Sequence, residues 1–120
     1  MEVALYDKPV SDPRYIDLLI TLLGEGWHKS HENIAGYLQL LKPESAVPVL
    51  LYVATKKFSY LEHDNSLGLS RKCTWVLADI GTDQSRIALQ KLADCGDLAI
   101  EDYAKQRLSK WNYELARKSV

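Results

Sequence analysis

Apolar residues recur along this chain mainly at three- and four-residue intervals, the spacing of one face of an α-helix. Ile16, Leu19, Leu22 and Leu23 form the first such stripe. Ser11 stands where it can cap that helix, and Pro13 falls in the first turn, where a missing N–H leaves no hydrogen bond unmade. Gly24 predicts its end. A second helix starts after Ser30 and carries Ile34, Leu38 and Leu41 on one face, with Tyr37 beside them. Pro43 closes it and opens a third, in which Pro48 falls in the first or second turn, where few N–H groups have intrahelical acceptors. The run Val49–Ala54 is β-prone by itself, but no second strand is present for it to pair with, so helix is expected. A fourth helix spans about Leu67 to Ile80, with Leu69, Cys73, Val76, Leu77 and Ile80 on one face and Gly81 as its stop. Thr82 caps a fifth, whose Ala88, Leu89, Leu92 and Ala93 point inward, and Gly96 ends it. Asp97 caps a last helix running from Leu98 towards Arg117, with Ile100, Ala104, Leu108, Trp111 and Leu115 along it. The stretch near 57–68 is polar, aromatic and aperiodic, and reads as an inserted loop.

The stripes repeat. An offset of 39 places Ile34, Leu38 and Leu41 on Cys73, Leu77 and Ile80, then Leu50, Val53 and Ala54 on Leu89, Leu92 and Ala93, without a gap. An offset of 31 places Cys73, Leu77 and Ile80 on Ala104, Leu108 and Trp111, and Leu19 and Leu22 on Leu50 and Val53. The unit is therefore a helix–turn–helix of about 31 residues, and the longer spacing contains the inserted loop. One such hairpin cannot bury its apolar face alone, whereas a stack of them builds a continuous core.

The segment Leu77–Asp94 resembles the short HEAT-like repeats of the phycobilin-lyase type. The carriers are Leu77, Ile80, Gly81, Asp83, Ala88, Leu89 and Leu92. The preceding unit departs from the pattern: Lys42–Pro43 stands for Gly–Thr, and Pro48 lies where Ile87 lies. The resemblance covers about residues 15–111. It implies an all-α fold, a right-handed α-α superhelix of about six helices in HEAT-like hairpins, as one domain over 1–120. It further implies that the second helix of each hairpin lines a concave face, whose exposed positions would include Glu44, Tyr52, Lys56, Asp83, Arg86, Gln90, Lys91 and Asp94.

Composition narrows the function. A chain of 120 residues is about one domain and can bury a core without metal or disulfide. With 15 basic and 16 acidic residues the net charge is −1, so no basic footprint advertises a nucleic-acid partner. Cys73 and Cys95 lack the CxxC spacing of thiolate metal sites and are expected as free, buried thiols. The first residues carry no basic-then-apolar secretory pattern, and no run of 18 apolar residues occurs, so a cytoplasmic protein with no membrane span is expected.

Candidate chemistry is sparse. His28, His31 and Glu32 have spacing that can place two imidazoles on one helix face, yet no third ligand adjoins them, and solvated histidines are the favoured expectation. His63 lies between Glu62 and Asp64 and is a general-base candidate only if a nucleophile lies nearby; an exposed charged loop is the simpler expectation. Trp75 falls off the apolar stripe and is expected either to pack over Gly36, its equivalent at offset 39, or to stand exposed as an aromatic anchor. Phe58 and Tyr60 are read either as contacts or as a satellite cluster pinning the loop. The segment Glu101–Arg107 reads as a solvated face with Glu101 and Lys105 paired.

The function expected is protein binding without catalysis, cofactor, metal or small-molecule substrate. In size and architecture the chain resembles the small immunity proteins of bacterial toxin systems, which implies a toxin domain as partner. The contact residues expected are Tyr52, Lys56, Phe58, Tyr60, Glu62, His63, Asp64, Asp83, Arg86, Gln90, Lys91 and Asp94. Two further readings stay open: an adaptor or scaffold, and a lyase-like chaperone docking a cofactor onto another protein, for which Asp83 or Asp94 is the best reactive acid.

Overall fold

The computed structural model describes residues 13–26, 28–58, 60–61 and 67–111. Among these it contains six α-helices and no strand: α1 (Pro13–Leu23), α2 (His31–Leu41), α3 (Val47–Thr55), α4 (Leu67–Ile80), α5 (Asp83–Leu92) and α6 (Leu98–Ser109). A 3-10 turn, Glu44–Ala46, precedes α3. The all-α expectation therefore holds, and the helix positions follow the apolar stripes. Ser11 and Leu115, read as cap and stripe residues, lie outside the described residues.

Local chemistry explains the boundaries. α5 starts with a reciprocal capping box: the Ser85 N–H donates to Thr82 Oγ1 at 3.2 Å, and the Thr82 N–H donates to Ser85 Oγ at 2.9 Å. α6 starts on Asp97, whose Oδ1 accepts from the Ala99 and Ile100 N–H groups at 3.1 and 3.3 Å. Partial desolvation is the largest single influence and raises the Asp97 pKa, but the bonds from Ile100 and Ala99 and the nearby Lys57 together outweigh it and hold the carboxyl below its ordinary range. Ser30 occupies the cap position of α2 but makes no side-chain cap bond. α4 ends at Gly81, with φ +69°, where glycine alone is unstrained. α2 ends on Lys42 in the same left-handed region, φ +53°.

Packing follows an alternating order. α2, α4 and α6 touch in sequence, as do α1, α3 and α5, and α4 touches α2, α3, α5 and α6. The chain measures 38 × 38 × 18 Å, which is two layers of helices each about 10 Å across. One expected pairing is weak: α2 and α3, the two helices of the first unit, share almost no close approach, and α4 fills the space between them. The Glu44–Ala46 turn delays α3 and lets the two helices splay. One continuous core results, with Leu19, Leu23, Leu38, Leu50, Leu69, Leu77, Leu89 and Leu92 among its most enclosed members. Among the described residues no helix is long and apolar enough to cross a membrane.

Candidate functional site

Large apolar groups stand uncovered on both sets of helices: Leu40 on α2 and Leu98 on α6 are the most exposed, and α1, α3 and α5 each carry one. Tyr52 on α3 is 53% exposed, Ile87 on α5 is 43% exposed and Leu18 on α1 is 42% exposed. These helices are packed neighbours, α1 on α3 and α3 on α5. Pro48 adds a further exposed position on α3. The Lys56 ammonium stands 5.2 Å from the Tyr52 ring centroid and 5.3 Å from that of Phe58, a cation shared by two rings. Asp83, Arg86, Gln90 and Lys91 are exposed on α5, and Asp94 is exposed in the turn behind it. The Arg86 guanidinium approaches the Trp111 ring at 6.0 Å. The surface therefore has scattered apolar anchors and mixed charge, a composition suited to a protein partner rather than a polyanion.

The remaining expected contacts separate. Phe58 is buried, so its ring pins the segment after α3 rather than facing a partner. Tyr60 is half-buried beside it, with the ring centroids 6.2 Å apart at 61°. Glu62, His63 and Asp64 lie outside the described residues, so the general-base candidate lies there too.

His28 and His31 correct the solvated expectation, because both are buried. Their rings stack at 4.3 Å, and His31 also lies 4.0 Å from Phe58. Every ring nitrogen is engaged. His28 Nε2 donates to the Leu22 carbonyl at 2.5 Å, and Nδ1 accepts from the Ser30 N–H at 3.1 Å. His31 Nε2 donates to the Glu25 carbonyl at 2.6 Å, and Nδ1 meets the Tyr60 hydroxyl at 2.5 Å. That hydroxyl also accepts the His31 backbone N–H at 3.3 Å. Nitrogens bound to carbonyls and a phenol are not poised as metal ligands, and among the described residues no trio of His, Cys, Asp or Glu could hold a metal ion. Desolvation, the main influence, lowers the His31 pKa, and His28 and Lys56 act in the same sense against the Glu25 carbonyl. Burial raises the Tyr60 pKa, and Glu32 adds to the rise against its bond with His31. Beside this cluster lies an open hollow of about 330 Å³, lined by Lys29, Glu32, Asn33, Tyr60 and Leu61.

Trp75 meets neither of its expectations. The Arg107 guanidinium lies 3.5 Å from its ring centroid, and the aliphatic end of Lys72 covers Gly36 instead, 3.9 Å from where a Cβ would stand. Arg107 is itself buried, which corrects the reading of Glu101–Arg107 as a solvated face. Glu101 turns its carboxylate to the Gly96 N–H at 2.9 Å rather than to Lys105. Of the free thiols only Cys73 is buried, and burial raises its pKa to about 12; Cys95, past the end of α5, is exposed. Sequence reasoning also missed two ties onto α4: Ser70 Oγ donates to the Ala54 carbonyl at 2.6 Å, and Gln39 Nε2 donates to Asp79 Oδ2 at 2.7 Å. The signal for the buried polar residues was present. His31 precedes Ile34 and Leu38 on one stripe, and Arg107 sits between Ala104 and Trp111 on another.

Comparison with protein-family models finds no match, and comparisons with curated proteins and with solved structures find none either.

Proposed function

We propose that this chain is a non-catalytic protein-binding module that engages its partner with the outward side of α1, α3 and α5. The observation that carries the reading is Tyr52: a large aromatic ring, 53% exposed, with the Lys56 ammonium 5.2 Å from its centroid, on a helix packed against α5, which carries exposed Ile87. A rigid aromatic group with an ordered cation beside it loses little entropy on binding and is typical of interface anchors. The helices are read as HEAT-like hairpins in a right-handed α-α superhelix, with this side as the concave one. The alternating contacts of α1, α3, α5 and of α2, α4, α6 support that arrangement, although the α2–α3 pair is looser than such a hairpin requires.

Within this class, the reading that best fits size and surface is an immunity protein that covers a bacterial toxin domain. The test is co-expression with the neighbouring open reading frame of its genome, followed by size-exclusion chromatography. A complex is expected, and Tyr52→Ala with Ile87→Asp should weaken it by about 3 kcal/mol or more. Separate elution of the two proteins would sink the immunity reading. A complex insensitive to the double substitution would sink the assignment of the surface.

A further inference from the structure

The buried histidine cluster joins three parts of the chain that are separate in sequence. His28 and the Glu25 carbonyl belong to the α1–α2 connection, His31 to the first turn of α2, and Phe58 and Tyr60 to the segment after α3. The hydrogen bonds assign one protonation state to His31. Its Nε2 faces a carbonyl and must carry a proton, while the Tyr60 hydroxyl accepts one N–H already and donates its own proton to Nδ1. A second proton on Nδ1 would reverse that bond and leave the Tyr60 hydroxyl without its acceptor. It would also place a cation between the rings of His28 and Phe58, close to Lys56.

We propose that His31 and Tyr60 form an acid-sensitive latch, which closes Phe58 and Tyr60 against α2 when His31 is neutral and releases them when His31 takes up a proton. The charged and titratable groups around His31 are, from the α1–α2 connection, Glu25, His28 and Lys29; from α2, Glu32; from the end of α3, Lys56; and from the latched segment, Tyr60. α1 contributes the Leu22 carbonyl, which holds His28 in place. Desolvation, His28 and Lys56 oppose a proton on His31, and Glu25 faces it through its carbonyl. The sign follows from the lowered pKa. The closed state holds His31 neutral, and the opened or unfolded chain takes the proton first. The latch is therefore fully closed above the ordinary imidazole value of 6.5 and weakens as the pH falls through that value towards the lower pKa of the closed state. Because Lys56 touches the rings of both Phe58 and Tyr52, opening reaches the exposed anchor on α3, but the latch does not depend on the binding reading.

Amide hydrogen exchange on the whole chain at pH 7.5 and 5.0, corrected for intrinsic rates, tests the latch. At pH 5.0 the amides of residues 31–34 and 57–61 are expected to exchange nearly as fast as unstructured peptide, while those of Leu69–Leu92 stay about a hundredfold protected or more. Protection lost in both regions together would mean acid unfolding and overturn the proposal, as would protection retained in both. In His31→Gln the exchange of 57–61 should become independent of pH, at whatever level it settles. Tyr60→Phe should open the segment already at pH 7.5. A His31→Gln variant that kept the pH response, or a Tyr60→Phe variant indistinguishable from the native chain, would also overturn it.

Discussion

Residues 34–54 and 73–93 follow the same course up to the turn and part just after it. At the offset of 39, Ile34 and Cys73, Leu38 and Leu77, Leu50 and Leu89, and Val53 and Leu92 are all buried. Both first helices end on a left-handed residue whose N–H returns to the same equivalent carbonyl: Lys42 to Leu38 at 2.8 Å, and Gly81 to Leu77 at 3.3 Å. After that the chemistry differs. Thr82 caps α5 at once through Ser85, and α4 and α5 pack along each other. Pro43 has no N–H and no hydroxyl, so the equivalent residues Glu44–Ala46 form a 3-10 turn, α3 begins only at Val47, and α2 and α3 diverge around α4. The same apolar pattern thus supports two geometries, and the turn residues select between them.

Five substitutions would break or sharpen this comparison. The largest effect is expected at Leu77, fully enclosed in the helix that touches α2, α3, α5 and α6: Leu77→Ala should destabilise by about 3–5 kcal/mol in urea unfolding. Leu38→Ala, at the equivalent site on a helix with fewer neighbours, should lose less, and a larger loss there would contradict the central place of α4. Gly81→Ala forces a Cβ into a left-handed conformation and should cost about 1–2 kcal/mol, read from the same unfolding curves. Thr82→Ala removes half of the capping box and should cost about 1 kcal/mol; a change near zero would show that packing alone starts α5. The smallest effect has the opposite sign. Lys42→Gly relieves the same backbone strain that Gly81 avoids, and should raise stability by about 0.5–1 kcal/mol, visible as a higher thermal midpoint.

The same contrast shows what could be read in advance. The bounds of α4, the Thr82 and Asp97 caps and the left-handed Gly81 follow from local spacing and side-chain chemistry, and each agrees with the structure. Ser30 shows the limit of that reading: it stands at the cap position, yet the end of α2 is held instead by the Ser30 carbonyl, which accepts from Ile34, and by His31 and Tyr60. Of the expected contact residues, Tyr52 and the polar positions of α5 are exposed as a helical wheel would place them, because an element's outward side is set by its own periodicity. Phe58 and Tyr60 are not decided by periodicity, since they lie in the aperiodic segment, and their placement depends on the rings they meet 27 to 29 residues earlier in the chain.

The sequence by itself determined that the chain is helical, where most helices start and stop, and which residues form the core stripes, because these depend on groups three or four residues apart. Only the tertiary structure decided the fate of the polar residues on those stripes. His31 and Arg107 are buried because a hydroxyl, a carbonyl and an aromatic ring arrive from distant segments to meet them, and Trp75 meets the Arg107 guanidinium of the following unit rather than Gly36 of the preceding one. A charge-bearing side chain is stable inside only where such partners converge, and that convergence is a property of the packed helices, not of any one of them.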